Sequence, residues 1–329
     1  MMTNQELPWE QPGWLAEADA WIAARLKDHG RRATGPLHVL HQRPWSTFVR
    51  VDTDEGAVFF KAPAPPLFEA GLTQALAAWR PDCTAPVLAV DLARGWLLTV
   101  DAGPTLRSVD PSPGQVDHWV KLLPFYAELQ IEMAGRTKHL LALGMPDRRL
   151  VRLPRLYAEL LETNENLRVG LEAGLTPEEY QRLLDLRPQF AAWCMELAGY
   201  GLPETLTHEE VHDANVLASP KGYVFTDWSD SSVSHPFFSP LVTIRAAAHR
   251  LGLVEDGPEM ARLRDAYLEP WTQFAARKQL LAAFKLAYRL GMVNRALTWN
   301  YGTGALSPRH KQPYFDAVPG WLQDFLAAG

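Results

Sequence analysis

The chain has 329 residues, 47% of them hydrophobic and 21% charged, with a formal net charge of −6 at pH 7. This length suits one large domain or two lobes, and the acidic balance argues against a nucleic-acid partner and suits a neutral or cationic small substrate better. The chain has two cysteines far apart in sequence, no basic segment followed by an apolar one near its start, and no apolar run of membrane-spanning length. We therefore expect a cytoplasmic protein without a membrane partner. The oligomeric state stays open.

The first third of the chain predicts one helix followed by short strands. Apolar residues at helical spacing indicate an amphipathic helix over about residues 13–29. Segments rich in β-branched and aromatic residues follow, and the DEG at residues 54–56, between VRV and VFF, predicts a hairpin. A second helical pattern, LFEAGLTQALAAW, precedes the last of these segments, which ends near residue 102.

From about residue 116 onward, apolar residues three and four apart indicate mostly helix. The clear interruption is NVLASPKGYVFTDW, where two short apolar runs flank the turn-forming SPKG at residues 219–222 and predict a second hairpin. We therefore expect an α+β chain with the two-lobed, protein-kinase-like architecture. Residues 1–102 would form the sheet-rich lobe, and residues 103–329 the mainly helical lobe.

The segment LTHEEVHDAN contains a possible zinc motif. Its HEEVH, at residues 208–212, fits H-E-x-x-H, in which a helix aims two imidazoles at one metal and the glutamate acts as a base. The extended pattern requires Gly and His where Asn215 and Ala218 stand, so no third ligand follows. Zinc is therefore the weaker interpretation, and we expect His208 and His212 to fix the loop by hydrogen bonds.

The same segment also fits the catalytic loop of a phosphotransferase. There an acid reaches the acceptor hydroxyl, an asparagine five residues later reaches metal, and a second acid after a hairpin holds metal on the nucleotide phosphates. Glu210, Asn215 and Asp227 have this order and spacing. HEEVHDAN…FTDW resembles the H-G-D-x-H-x-x-N…I-D-W signature of the aminoglycoside phosphotransferase (choline-kinase-like) family. The resemblance implies that Glu210 is the catalytic base and that Asn215 and Asp227 are catalytic residues that bind Mg²⁺.

Other parts of the resemblance lie in the N-terminal third. Lys61 in VFFKAP resembles the family's phosphate-gripping lysine, and Glu69 looks like the helix acid that pairs with it. WLLTVDAGPTL is similar to the last small-lobe strand and the hinge, so backbone groups of Thr99, Val100 and Ala102 would contact adenine. The resemblance thus makes residues 1–102 the nucleotide-binding lobe and residues 103–329 the catalytic and substrate-binding lobe. The activity that it implies is an ATP- or GTP-dependent, Mg²⁺-requiring transfer of phosphate to a hydroxyl of a small molecule.

Several positions depart from this pattern. The loop HQRPWSTFVRV lacks the glycines that allow close approach to phosphates, which leaves Ser46 and Thr47 as the expected hydrogen-bond donors. Glu210 replaces an aspartate and Glu209 a glycine, and a carboxylate misplaced by ~1 Å can cost ~100-fold in rate. A degenerate, non-catalytic protein that binds a nucleotide or other ligand therefore stays open as the alternative function.

The acceptor also stays open among an aminoglycoside, another amino alcohol, a sugar and a macrolide. Asp213 and Asp230 are either accessory acids or turn residues. Four further acids of the helical part are either attractors of an amine or a solvated helix face: Asp147, Glu159, Glu162 and Glu165.

Overall fold

A computed structural model describes residues 7–109, 116–163, 165–220, 222–254, 257–304 and 306–328. The chain divides into two compact units. The first comprises Met1–Val109, Ala214–Ser229 and Gly302–Lys311, and the second comprises Asp110–Asp213, Asp230–Tyr301 and Gln312–Gly329. The lobe boundary between residues 102 and 103 that the sequence suggests stays a prediction.

The secondary structure alternates short strands and helices before helices dominate. The strands are β1 (His38–Arg43), β2 (Ser46–Thr53), β3 (Gly56–Pro63), β4 (Val87–Asp91), β5 (Trp96–Val100), β6 (Thr205–His208), β7 (Val216–Ser219), β8 (Gly222–Phe225) and β9 (Ser231–Ser234). The α-helices are α1 (Trp14–Asp28), α2 (Phe68–Trp79), α3 (Leu106–Val109), α4 (Asp117–Ala134), α5 (Thr137–Ala142), α6 (Leu153–Thr163), α7 (Pro177–Asp185), α8 (Arg187–Ala198), α9 (Pro240–Leu251), α10 (Pro258–Leu268), α11 (Arg277–Gly304), α12 (Pro308–Lys311) and α13 (Ala317–Ala327). No helix in the described ranges is long and apolar enough to cross a membrane.

The first unit is built on a five-stranded antiparallel sheet with the order β1-β2-β3-β5-β4. Thr53 opposes Gly56 across the turn between β2 and β3, which confirms the hairpin expected at residues 54–56. Side chains alternate between the two faces of a strand. Phe60 of β3 therefore packs in the apolar core, its ring centroid 6.4 Å from that of Trp14 on α1, while Lys61 points to the opposite face.

The hairpin β7–β8 belongs to the first unit, although the helical part of the chain surrounds it in sequence. The Phe225 N–H donates to the Cys83 carbonyl at 3.0 Å, and the Ala218 N–H donates to the Pro104 carbonyl at 2.9 Å. The hairpin is confirmed, while Lys221 in its expected turn lies outside the described residues. Gly103 has φ +118°, and a Cβ there would lie 2.6 Å from the Ala218 carbonyl oxygen, so this approach requires glycine.

The second unit is mainly helical around a two-stranded antiparallel ribbon of β6 and β9. Helix α4 holds the ribbon through buried hydrogen bonds: the Gln130 Nε2 donates to the Leu206 carbonyl at 3.1 Å, and the His208 N–H donates to the Tyr126 hydroxyl at 2.9 Å. Strand β6 ends at His208, so the ribbon fixes the start of the loop that carries Glu209 and Glu210. The sheet-rich first unit and the helical second unit confirm the predicted α+β class.

Candidate active site

Three charged side chains of the first unit form an ion-paired group, the Lys61 cluster (Lys61, Glu69 and Asp227). The Lys61 Nζ donates to the Glu69 Oε1 at 2.8 Å and to the Asp227 Oδ1 at 2.5 Å. The Lys61 and Glu69 side chains are only 10% and 4% exposed, whereas the Asp227 side chain is 41% exposed. The structure thus brings the lysine together with both acids that the resemblance assigns to it or to the metal.

Secondary structure accounts for how the Lys61 cluster assembles. Lys61 lies on the sheet face opposite the apolar core, and Glu69 lies in the first turn of α2. Burial alone would lower the pKa of Lys61, but the carboxylates of Asp227 and Glu69 raise this pKa above its ordinary value. Burial raises the pKa of Glu69 and outweighs the opposing charge of Lys61. Two carboxylates around one ammonium leave a net negative charge, which favours an arriving cation.

Asn215 and Asp227 lie at the open end of the β7–β8 hairpin. Val216 opposes Phe225 in the last strand pair, and Thr226 continues the ladder by donating its N–H to the Asn215 carbonyl at 2.9 Å. Asp227 follows at φ +62°, the left-handed region that residues with a side chain seldom adopt outside special sites. The hairpin register therefore places Asn215 and Asp227 near each other.

The donor set at this end of the hairpin fits Mg²⁺. This ion takes oxygen ligands and is usually held by one or two carboxylates together with substrate phosphates. Asp227 supplies a partly exposed carboxylate and Asn215 an amide oxygen. Within the described residues, no group of three His, Cys, Asp or Glu side chains is arranged to hold a metal. Asp227 and Asn215 offer two oxygen ligands to such an ion, and nucleotide phosphates would offer others.

Ser46 and Thr47, the expected phosphate donors, open β2 and are both buried. The Thr47 hydroxyl donates to the His41 carbonyl of the neighbouring strand at 3.3 Å. The turn between β1 and β2 is tight, since Arg43 opposes Ser46 directly. A phosphate role for these two residues stays a prediction.

The three expected adenine-binding residues lie at and just beyond the end of β5. Thr99 pairs with Phe59 on one side of the strand and with Val87 on the other. The Val100 N–H donates to the Pro86 carbonyl at 2.9 Å. Ala102 follows the end of the strand, and adenine contacts of Thr99, Val100 and Ala102 stay predictions.

The segment HEEVH does not form the helix that a zinc site requires. His208 is the last residue of β6, and the residues after it form turns and bends. The Glu210 N–H donates to the His208 Nδ1 at 3.1 Å, so His208 fixes the loop by a hydrogen bond, as expected. An H-E-x-x-H site needs both imidazoles on one helical face. The structure therefore excludes this zinc geometry.

The second unit contains a further charged group, the Arg295 cluster (Arg295, Glu210 and Asp230). The Arg295 Nη1 donates to the Asp230 Oδ2 at 2.8 Å, and its Nη2 donates to the Glu210 Oε1. Burial alone would lower the pKa of Arg295, but the carboxylates of Glu210 and Asp230 raise it. Sequence reasoning missed Arg295. The available signal was the polar pair Asn294-Arg295 inside the apolar run LGMVNRALTW.

Glu209, which stands where the resembling motif has glycine, is the centre of a buried polar network. Its carboxylate accepts from the Asn294 Nδ2 at 2.7 Å, the Arg148 Nη1 at 3.1 Å and the Ser232 hydroxyl at 3.1 Å, and from the Thr298 hydroxyl. A buried charge is tolerated only when it is paired and hydrogen-bonded in this way. Glu209 therefore anchors the loop that carries Glu210.

Several other acids considered from sequence have arginine partners. Glu159 lies 2.6 Å from Arg155, Glu162 lies 2.8 Å from Arg187 and Asp147 lies 2.8 Å from Arg149; Asp213 pairs with Arg250 at 3.2 Å. Each pair offsets one negative charge. Asp147, Glu159 and Glu162 therefore give little support to attraction of an amine, and that role stays a prediction for Glu165.

No family model matches the sequence, and no curated protein matches it either. Solved structures do match. An ethanolamine kinase from Plasmodium vivax superposes with a TM-score of 0.62 at 11% identity, covering 100% of this chain and 96% of the other. The macrolide 2'-phosphotransferase MphH from Brachybacterium faecium has a TM-score of 0.55 at 17% identity, covering 91% and 97%. The spectinomycin phosphotransferase APH(9)-Ia, in complex with ADP and spectinomycin, has a TM-score of 0.50 at 11% identity, covering 94% and 98%.

Identities this low carry information about the fold. They agree with the antiparallel sheet of the first unit and the helices of the second, and they confirm at the level of fold the resemblance drawn from the motifs. The chain has the protein-kinase-like fold that these small-molecule phosphotransferases share.

Proposed function

We propose that this protein is a Mg²⁺-dependent phosphotransferase that moves the terminal phosphoryl group of ATP or GTP to a hydroxyl of a small molecule. The observation that carries this proposal is the Lys61 cluster, in which a buried lysine contacts both Glu69 and the partly exposed Asp227. Structural neighbours that are named as kinases and phosphotransferases support the reaction class.

On the donor side, Lys61 binds phosphate oxygens while Glu69 keeps the ammonium charged and in place. Asp227 and Asn215 would hold Mg²⁺, and the ion would neutralise charge on the transferring group. The Lys61 ammonium also contacts Asp227, so binding a phosphate oxygen requires it to give up part of that contact. The net negative charge of the Lys61 cluster predicts that nucleotide without a divalent cation binds poorly.

On the acceptor side, Glu210 orients the substrate hydroxyl and accepts its proton as the oxygen attacks phosphorus. The bond from phosphorus to the oxygen bridging to the nucleoside diphosphate breaks in the same displacement, and this oxygen leaves with the electron pair. The hydrogen bond from the Glu210 N–H to His208 and the ion pair with Arg295 hold Glu210 on its loop.

The test of the donor side is calorimetry with ATP and with GTP, each with Mg²⁺ and with EDTA. We expect binding that requires Mg²⁺, and we expect Asp227→Ala to abolish this metal dependence. Asp52→Asn is the matched control, because Asp52 is a strand acid that is partly exposed, as Asp227 is, and pairs with Arg50 instead. Equal affinity with and without Mg²⁺ would overturn the proposal, as would stoichiometric zinc on His208 and His212.

The acceptor side is tested with a panel of small hydroxyl compounds that includes an aminoglycoside, choline, a macrolide and simple sugars. Glu210→Gln should remove phosphoryl transfer and leave nucleotide affinity nearly unchanged, because this carboxylate acts on the acceptor. Nucleotide binding without turnover on any acceptor, water included, would favour the alternative, a non-catalytic binding protein. Full activity in Glu210→Gln would refute the role of Glu210.

A further inference from the structure

Side chains of helix α11 hydrogen-bond to two successive residues of the loop after β6, Glu209 and Glu210. Asn294 and Thr298, one helical turn apart, hold the Glu209 carboxylate. Arg295, the next residue along the helix, holds the Glu210 carboxylate. Residues four apart share one helix face, so Asn294 and Thr298 bind Glu209 together, while Arg295 beside them binds Glu210. One helix therefore fixes both glutamates.

We propose that Arg295 is a positioning residue, which places the Glu210 carboxylate for its work on the acceptor hydroxyl. This inference rests on the proposed function and deepens it. Glu210 is longer by one methylene than the aspartate of the resembling motif, and its carboxylate reaches Arg295 on α11. Glu210 and Arg295 thus form an ion pair, and the extra methylene of Glu210 lets its carboxylate reach the guanidinium.

The exposure of the Arg295 cluster supports a positioning role over a purely structural one. The Arg295 side chain is 4% exposed, whereas Glu210 and Asp230 are 29% and 33% exposed. A buried guanidinium therefore holds two acids that both reach the surface. Its planar fork binds a different carboxylate through each terminal nitrogen, which a lysine ammonium does not reproduce with the same fixed geometry.

The experiment compares Arg295→Met, Arg295→Lys, Glu210→Gln and the Arg295→Met/Glu210→Gln double variant. The probe is Mg·ATP with water as acceptor, read as phosphate release. We expect Arg295→Met to lower kcat ~100-fold, the effect of a misplaced catalytic group, with the KM for Mg·ATP changed less than ~3-fold. Arg295→Lys should recover only part of kcat. Arg245→Met, which breaks an ion pair with Asp324, is the matched control and should keep kcat.

Because Arg295 acts through Glu210, the double variant should be no slower than Glu210→Gln alone. Thermal unfolding gives a readout that does not depend on activity. Since each single variant breaks the same ion pair, the Tm of the double variant should fall by less than the sum of the two single losses. The inference would be overturned if the fold-losses in kcat of the two single variants multiplied in the double variant, or if their Tm losses simply added. A wild-type kcat in Arg295→Met would also overturn it. Failure of the wild type to bind Mg·ATP would instead overturn the proposed function, and overlapping Tm losses would then still support the pairing itself.

Discussion

Replacing Lys61 by methionine should make the stability of this protein fall with rising pH. Methionine fills the space of the lysine stem but removes the charge that faces Glu69 and Asp227. Glu69 is then a buried carboxylate next to a second acid. Keeping it ionised costs about 3–5 kcal/mol, the usual penalty for breaking a buried ion pair from one side. Glu69 avoids this cost by taking up a proton.

The free energy needed to keep Glu69 protonated sets the size of the stability loss. A glutamate in the unfolded chain has a pKa of about 4.3, so holding Glu69 protonated costs about 1.4 kcal/mol for each pH unit above this value. The loss of unfolding free energy is therefore about 1 kcal/mol at pH ~5 and about 3.7 kcal/mol at pH ~7. The native state of the variant binds a proton that the unfolded state releases, so its stability falls as pH rises.

The assay is urea unfolding of wild type and Lys61→Met between pH ~5 and ~8, followed by the fluorescence of the twelve tryptophans. The Lys61→Met/Glu69→Gln variant removes the titrating group and should regain most of the lost stability without the added slope. Lys27→Met, at an exposed position of α1, is the control and should behave as wild type. A Lys61→Met variant that is equally stable at both ends of the range would refute the reasoning, because Glu69 would then not need its lysine.

Three further predictions concern stability. Gly103→Ala should lose at least ~1 kcal/mol more unfolding free energy than Gly201→Ala: both glycines have positive φ, but only at Gly103 does the new Cβ meet a carbonyl oxygen. Equal losses would contradict the close approach. Burial lowers the pKa of His235 to about 3. In the unfolded chain this histidine takes up a proton near pH ~6.5, so the free energy of unfolding falls as pH drops below that value. His235→Asn should reduce this dependence on pH by up to ~1.4 kcal/mol per pH unit. An unchanged acid slope would refute it. Thr298→Val removes a donor from the buried Glu209 carboxylate and should cost about 1–3 kcal/mol by urea unfolding, and a neutral effect would show that other donors suffice.

Local rules acting along the sequence predicted the elements and part of the candidate site. The period of two in β3 sends Phe60 and Lys61 to opposite faces, and the spacing of Glu210, Asn215 and Asp227 marks a loop followed by a hairpin. The turn residues at 54–56 predicted the first hairpin correctly. These features could be read from the sequence because strand alternation and turn preference depend on near neighbours in the chain.

Only the tertiary structure decided which distant groups meet. Lys61 contacts Asp227 across 166 residues, and Arg295 contacts Glu210 across 85. Such contacts depend on how each helix is rotated about its axis and on which faces pack together, and neither is encoded in local periodicity. An arginine in an apolar helix looks like a helix-face residue until a carboxylate from a remote loop is found beside it. The motif therefore indicated the acid at position 210, but the fold alone supplied the buried guanidinium that holds it.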